Sequence, residues 1–205
     1  MNRQRVSMMK RISGVVFCIA LLVNVACGQT RKSNNGTGGP HAPARVAVST
    51  PKIDDDKLKA QAEEVNAAFI KGDFGKVADL TYQEVVHRVG GRAQMIAFLE
   101  NGMKEMRAGG FDIVSVSVDA PKQVIKVEKQ LLAVVPTTMR VKSPQGILVG
   151  RSFLIGVSEN DGEKWTFVDG SAGIDKRKLQ ILFPLAADKL ELPQESAPVP
   201  EATKP

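Results

Sequence analysis

The sequence predicts an α+β domain: helices first, then an antiparallel sheet joined by hairpins. Three observations carry this. From Ala60 to Met106 the apolar residues recur at helical spacing. After Phe111 the period changes to two. The segments between the later apolar runs are short and rich in turn residues, which suits antiparallel neighbours rather than crossovers.

The elements follow in order. Asp54, Asp55 and Asp56 suit a helix start, where carboxylates cap free N–H groups and oppose the helix dipole. Leu58, Ala62, Val65 and Phe69 then form one apolar face. Gly72 ends that helix, and Asp73 caps a short one bearing Val77 and Leu80. Tyr82–Arg88 reads as the link to a third helix, Arg92–Arg107, which Gly90-Gly91 precedes and Gly109-Gly110 stops. Met95, Leu99, Met103 and Met106 make its stripe, widened by Ile96 and Phe98. In the first strand Val114, Val116 and Val118 alternate with polar residues. Val124–Val127, Leu131–Lys142 and Ile147–Ser158 follow, and Asn160-Asp161-Gly162 turns the chain into Lys164–Asp169. Ile174–Lys189 reads as a closing helix with a break at Pro184.

Composition divides the chain into four parts. Residues 1–26 read as a signal peptide: a basic start, the apolar run Ile12–Val25, then small residues. Met8 and Met9 would serve as starts equally well. About 14 apolar residues span roughly 21 Å as a helix, short of a bilayer core. Residues 27–52 read as a flexible tether, polar and glycine-rich, and 53–192 as the folded domain. Residues 193–205 read as a disordered proline-rich tail.

The chain carries a formal charge of +6, but its excess lies at the start. Without Arg3, Arg5, Lys10 and Arg11 there remain 24 basic against 22 acidic residues. With one Tyr and one Trp and no basic run, the folded part does not suit nucleic acid. Both cysteines, Cys18 and Cys27, precede the domain, so it has no thiol chemistry of its own. His41 lies in the tether, leaving His87 as the domain's one imidazole. There is no glycine-rich phosphate loop, no nucleophile elbow and no acidic metal cluster, and no cofactor is expected.

Val23-Asn24-Val25-Ala26-Cys27 resembles the lipobox of bacterial lipoproteins, whose cysteine is acylated and becomes the first mature residue. Ala26 and Cys27 match; Asn24 stands where that motif usually has an apolar residue. The resemblance implies lipid on Cys27, with Gly28 after it pointing to the outer membrane, facing the periplasm. The alternative is ordinary cleavage near Gly28 and release as a secreted or periplasmic protein.

The helix break Lys71-Gly72-Asp73-Phe74, within KGDFGKVADL, and the last-strand run Trp165–Asp169, within WTFVDGS, resemble the nuclear transport factor 2-like superfamily, which includes SnoaL-like proteins and ketosteroid isomerase. The resemblance spans about Ala60–Gly173 and rests chiefly on the order of elements. It implies a cone: N-terminal helices packed in the concave face of a curved antiparallel sheet, with a pocket at the wide end. Members bind small apolar molecules, act as enzymes or serve as adaptors, so fold alone leaves function open.

Three side chains are candidates for chemistry. His87 could serve as a general base near neutral pH; the plainer reading is a surface or core-edge histidine. Asp169 shares a strand face with Trp165 and Phe167, where desolvation would raise its pKa; the plainer reading is a turn-capping carboxylate. Tyr82 could donate from its phenol or pack at a core edge. Phe69, Met95, Phe98, Leu99, Trp165 and Phe167 are candidate pocket walls, and the same spacing suits a solid core. The reading favoured is a non-catalytic, membrane-anchored envelope domain that binds a small apolar ligand or a partner protein. The alternatives are an isomerase-, cyclase- or hydrolase-type enzyme using His87 and/or Asp169, and a structural homodimer.

Overall fold

The computed structural model describes residues 48, 49, 51–194 and 196–201. The expectations for the signal peptide, for Cys27 and for His41 lie outside those residues. Among the described residues no helix is long and apolar enough to cross a membrane.

Among the described residues the chain is α+β: a short strand, four helices, then six further strands of one seven-stranded antiparallel sheet. Helix α1 spans Asp55–Lys71, α2 Phe74–Leu80, α3 Gln83–Arg88 and α4 Arg92–Ala108. Their ends follow local chemistry. Asp54 Oδ1 accepts from Lys57 N at 2.9 Å, and Asp73 Oδ1 from Lys76 N at 3.1 Å. Gly72 closes α1 in the left-handed region at φ 79°, where a Cβ would be strained. Tyr82–Arg88, expected as a link, is mostly helix. It is one and a half turns with no side-chain cap, which is why no start signal marks it in the sequence.

The sheet is built on a long hairpin, β4 (Gln130–Ser143) and β5 (Gly146–Ser158), in unbroken register from Leu131↔Ser158 to Ser143↔Gly146. Each arm is too long for one partner. β3 (Gln123–Val127) pairs the first half of β4, and β2 (Asp112–Val118) its second half. Pro136 lies at the handover, where β4 changes partners; its missing N–H costs the ladder least there. β6 (Thr166–Asp169) pairs the second half of β5.

Three expectations from the sequence are corrected. Val114 does not share a face with Val116 and Val118. A bulge between Ile113 and Ser115 turns it outward, 47 % exposed, while Ile113 and Val118 are buried. The tether is not wholly free of the sheet: β1 (Val48–Ser49) pairs with β3 at Val127 and Lys126. The tail is not wholly disordered either. β7 (Ser196–Pro200) pairs with β5, and Arg140 Nη2 meets Glu201 Oε2 at 2.6 Å. Its prolines are tolerated because an edge strand has N–H groups that need no partner.

Both faces of the sheet are covered, which explains the continuous burial of Leu131–Val135. On one face Leu131, Ala133, Val135, Leu154, Trp165 and Phe167 pack against α1, α2 and α4. On the other Leu132, Val134, Phe153, Ile155, Val157 and Val168 meet α5 (Lys176–Leu182) and the turns after it. The expected closing helix ends at Leu182, before Pro184, as the steric demands of proline require.

Candidate functional site

The layer between the helices and the first sheet face is not filled. It holds two adjoining spaces of about 150 and 100 Å³. The first lies under Val65 and Phe69 of α1, Val77 of α2 and Met95 of α4, with Phe167 of β6 as part of its floor. The second runs beneath Gly102, Met103 and Met106 of α4, above Val116, Met139 and Val141 of the sheet. Six residues line both: Asn66, Phe69, Phe98, Leu99, Leu154 and Asp169. The two spaces therefore adjoin, and only Asn66 and Asp169 are polar in the wall they share.

Local structure explains how these side chains arrive there. Asn66 stands four residues after Ala62 and three before Phe69, so it falls on the apolar stripe of α1. Its Nδ2 is buried with no hydrogen-bond partner. Ser152, on the sheet side of the second space, has a buried Oγ in the same condition. Helices α2 and α4 are held together on the surface by Arg92, whose Nε and Nη2 donate to Asp79 at 2.7 and 2.9 Å. Those hydrogen bonds hold the Asp79 carboxyl below its usual range. Gln61 joins α1 to the turn before β6, accepting from Trp165 N at 2.8 Å and donating to Glu163 O at 3.2 Å.

Asp169 ends β6 and caps the short 3₁₀ turn Gly170–Ala172, its Oδ1 accepting from Ser171 N at 2.9 Å. The carboxylate caps a turn, and it stands in the walls of the two apolar spaces. Its side chain keeps accessible surface while it lines both spaces, which are themselves partly open to solvent. Burial pushes the Asp169 carboxyl up from the usual carboxylate range, and the hydrogen bonds from Ser171 oppose that shift.

The other candidates lie elsewhere. His87 is exposed on α3 and lines neither space, so His87 and Asp169 are not brought together. Tyr82 stacks on Phe183 at 5.4 Å, at the edge of the core on the far sheet face. Phe69, Phe98 and Leu99 stand in the walls of both spaces, and Met95 and Phe167 in the first. Trp165, expected as a pocket wall, is fully buried in the solid part of the core and lines neither space. It packs over Gly156, where a Cβ would come within 3.1 Å of the indole. Asn66 and Ser152 were not among the sequence candidates; the signal for Asn66 was a polar residue on an otherwise apolar helical stripe.

Arg88 and Lys178 line the first space, Arg88 paired with Glu84 at 2.7 Å and Lys178 Nζ donating to Gly173 O at 2.9 Å. Among the described residues no three His, Cys, Asp or Glu side chains gather in a way that would hold a metal ion. Chemically the site is an α+β core hollowed along its helix–sheet seam, with one carboxyl and one amide in the wall its two spaces share. Family models, curated proteins and solved structures were each compared with the chain, and none matches.

Proposed function

We propose that the chain is an envelope lipoprotein, anchored through acylated Cys27 in the outer membrane, whose domain binds a small apolar molecule without transforming it. The observation that carries the binding half is the pair of adjoining spaces, whose shared wall is four apolar side chains and two polar ones. Apolar spaces of about 150 Å³ hold a single aromatic ring. The absence of His87 from both spaces removes one of the two bases an enzyme reading invoked, which favours binding over turnover. The anchoring half rests on the lipobox-like Val23–Cys27 and the polar segment behind it. The helix layer against one sheet face and the order of elements also support a cone of the nuclear transport factor 2-like kind.

A second reading has one specific observation behind it. Asp169, held above the ordinary carboxylate range in an apolar space, suits a lone general base or acid. Mass spectrometry of the protein purified from its native membrane tests the first reading. Acyl chains on Cys27 together with a co-purifying unmodified apolar molecule are expected. A non-acylated cysteine and an empty protein would overturn it. Turnover of that molecule by the wild type, lost in Asp169→Asn, would favour the second reading.

A further inference from the structure

We infer that the outer edge of β5, from Ile147 to Arg151, docks an extended segment of a partner protein. That segment carries prolines at alternate positions and a carboxylate directly after the last one, and β7 occupies the edge in its absence. The inference is independent of the spaces under the helices. It starts from the way this edge is divided. β6 pairs with β5 from Leu154 to Val157, and the chain then turns away through Gly170–Ala172. The first half of β5 is left to β7. Without β7 it would present unpaired N–H and C=O groups, a template for any incoming strand.

Three features select more than a bare backbone. Glu201 N donates to Ile147 O at 2.9 Å, and Val199 stands opposite Val149. Alternation therefore aims the N–H groups of Val199 and Glu201 at β5, and Pro200 falls between them, where no donor is needed. The ring of Pro198 lies over Gly150, where a Cβ would come within 3.3 Å of its Cγ. The Glu201 carboxylate meets Arg140 Nη2 of β4 at 2.6 Å. Lys142 and Arg151 share that sheet face and add charge of the same sign.

The present occupant is weakly held. The register of β7 shifts between Val149 and Arg151, and four of its five residues are exposed. The Arg140–Glu201 pair is open to water, where such a pair counts for little. What keeps β7 in place is its covalent tether, which presents it at an effective concentration on the order of millimolar. A partner that carries the same chemistry on a folded body adds contacts that this exposed strand lacks.

The test leaves the chain whole. Val199→Pro, in the full chain carrying Cys27→Ala, removes the N–H that holds β7 and frees the edge. Glu201→Lys, which loosens β7 by charge, replaces it should that variant not fold by circular dichroism. The probe is a fluorescein-labelled peptide with the sequence of residues 194–203, followed by fluorescence anisotropy. It is expected to bind Val199→Pro at least tenfold more tightly than the parent, whose edge is filled. The same peptide with Glu201→Lys should bind about threefold more weakly, as an exposed ion pair allows. Adding Arg140→Glu to Val199→Pro should reverse that preference. Equal binding to parent and variant would place the peptide elsewhere, and no binding to the folded variant would mean that the edge takes no strand in trans. Either result overturns the inference. A dimer of the parent in analytical ultracentrifugation, lost in Val199→Pro, would give the edge to β7 of a second copy and overturn it as well.

Discussion

Gly102 offers a way to raise stability and abolish binding with one side chain. It lies inside α4, has no positive φ, and lines the second space; a Cβ built on it meets nothing within 4 Å. Replacing it by Leu removes the conformational freedom of an interior helical glycine, a gain of about 0.8 kcal/mol. A buried Leu side chain adds about 1.5–3 kcal/mol when wholly enclosed. Gly102 is only partly buried, so about 1 kcal/mol is the fair share. Gly102→Leu should therefore stabilise the domain by about 2 kcal/mol and raise the thermal midpoint by about 6 °C. The same side chain occupies the second space, so an apolar probe that extends into it should bind at least tenfold more weakly. Thermal unfolding by circular dichroism and equilibrium dialysis with diphenylmethanol, a two-ring probe, read the two effects. A lowered midpoint would mean that the space under α4 is closed. A raised midpoint with undiminished binding would mean that the ligand lies elsewhere.

Asp169→Asn tests the raised carboxyl pKa through the pH dependence of stability. Its folded pKa is raised, so the fold holds this proton more tightly than the unfolded chain does. Above the folded pKa the charge opposes folding, and the penalty lifts as pH falls toward the unfolded value of about 3.9. The variant should be more stable than the parent at pH 8, with the difference shrinking toward pH 4; a difference that grows on acidification would contradict the raised pKa. Gly170→Ala should destabilise by about 1–3 kcal/mol or more, since its Cβ would lie 2.7 Å from the carbonyl oxygen of Phe153, itself buried. Denaturant melts would show this, and a neutral variant would mean that the turn after β6 yields freely. His87→Ala should change stability by less than about 0.5 kcal/mol and leave probe binding intact; a tenfold loss of binding would return His87 to the site. Cells fed radiolabelled palmitate should label the parent and not Cys27→Ala, and an unlabelled parent would end the anchor proposal.

Much of the fold was legible because its signals are local. Asp54, Asp73 and Gly72 mark helix ends through their own hydrogen bonds and backbone angles. Asp161 and Gly162 adopt the positive φ that their turn requires. What stayed hidden depends on partners far along the chain. The bulge at Val114 is set by β4, and alternation alone places that valine on the wrong face. The proline content of Ser196–Pro200 reads as disorder, although an edge strand can use it. The cavity is the strongest case. Phe69, Leu99 and Trp165 all fit the pattern of apolar residues facing inward, yet two stand in its walls and the third is packed solid. Periodicity reports which way a side chain faces and says nothing of whether the space before it is occupied.

The hollow seam itself is the central claim, and methionine methyl groups report on it directly. Met95 stands in the first space, and Met103, Met106 and Met139 in the second. With these methyls labelled by ¹³C and assigned through single Met→Leu variants, diphenylmethanol is titrated into the full chain. Saturable shifts of all four signals, with one common dissociation constant, are the predicted result. Four signals that stay in place at saturating probe would mean that the core is filled.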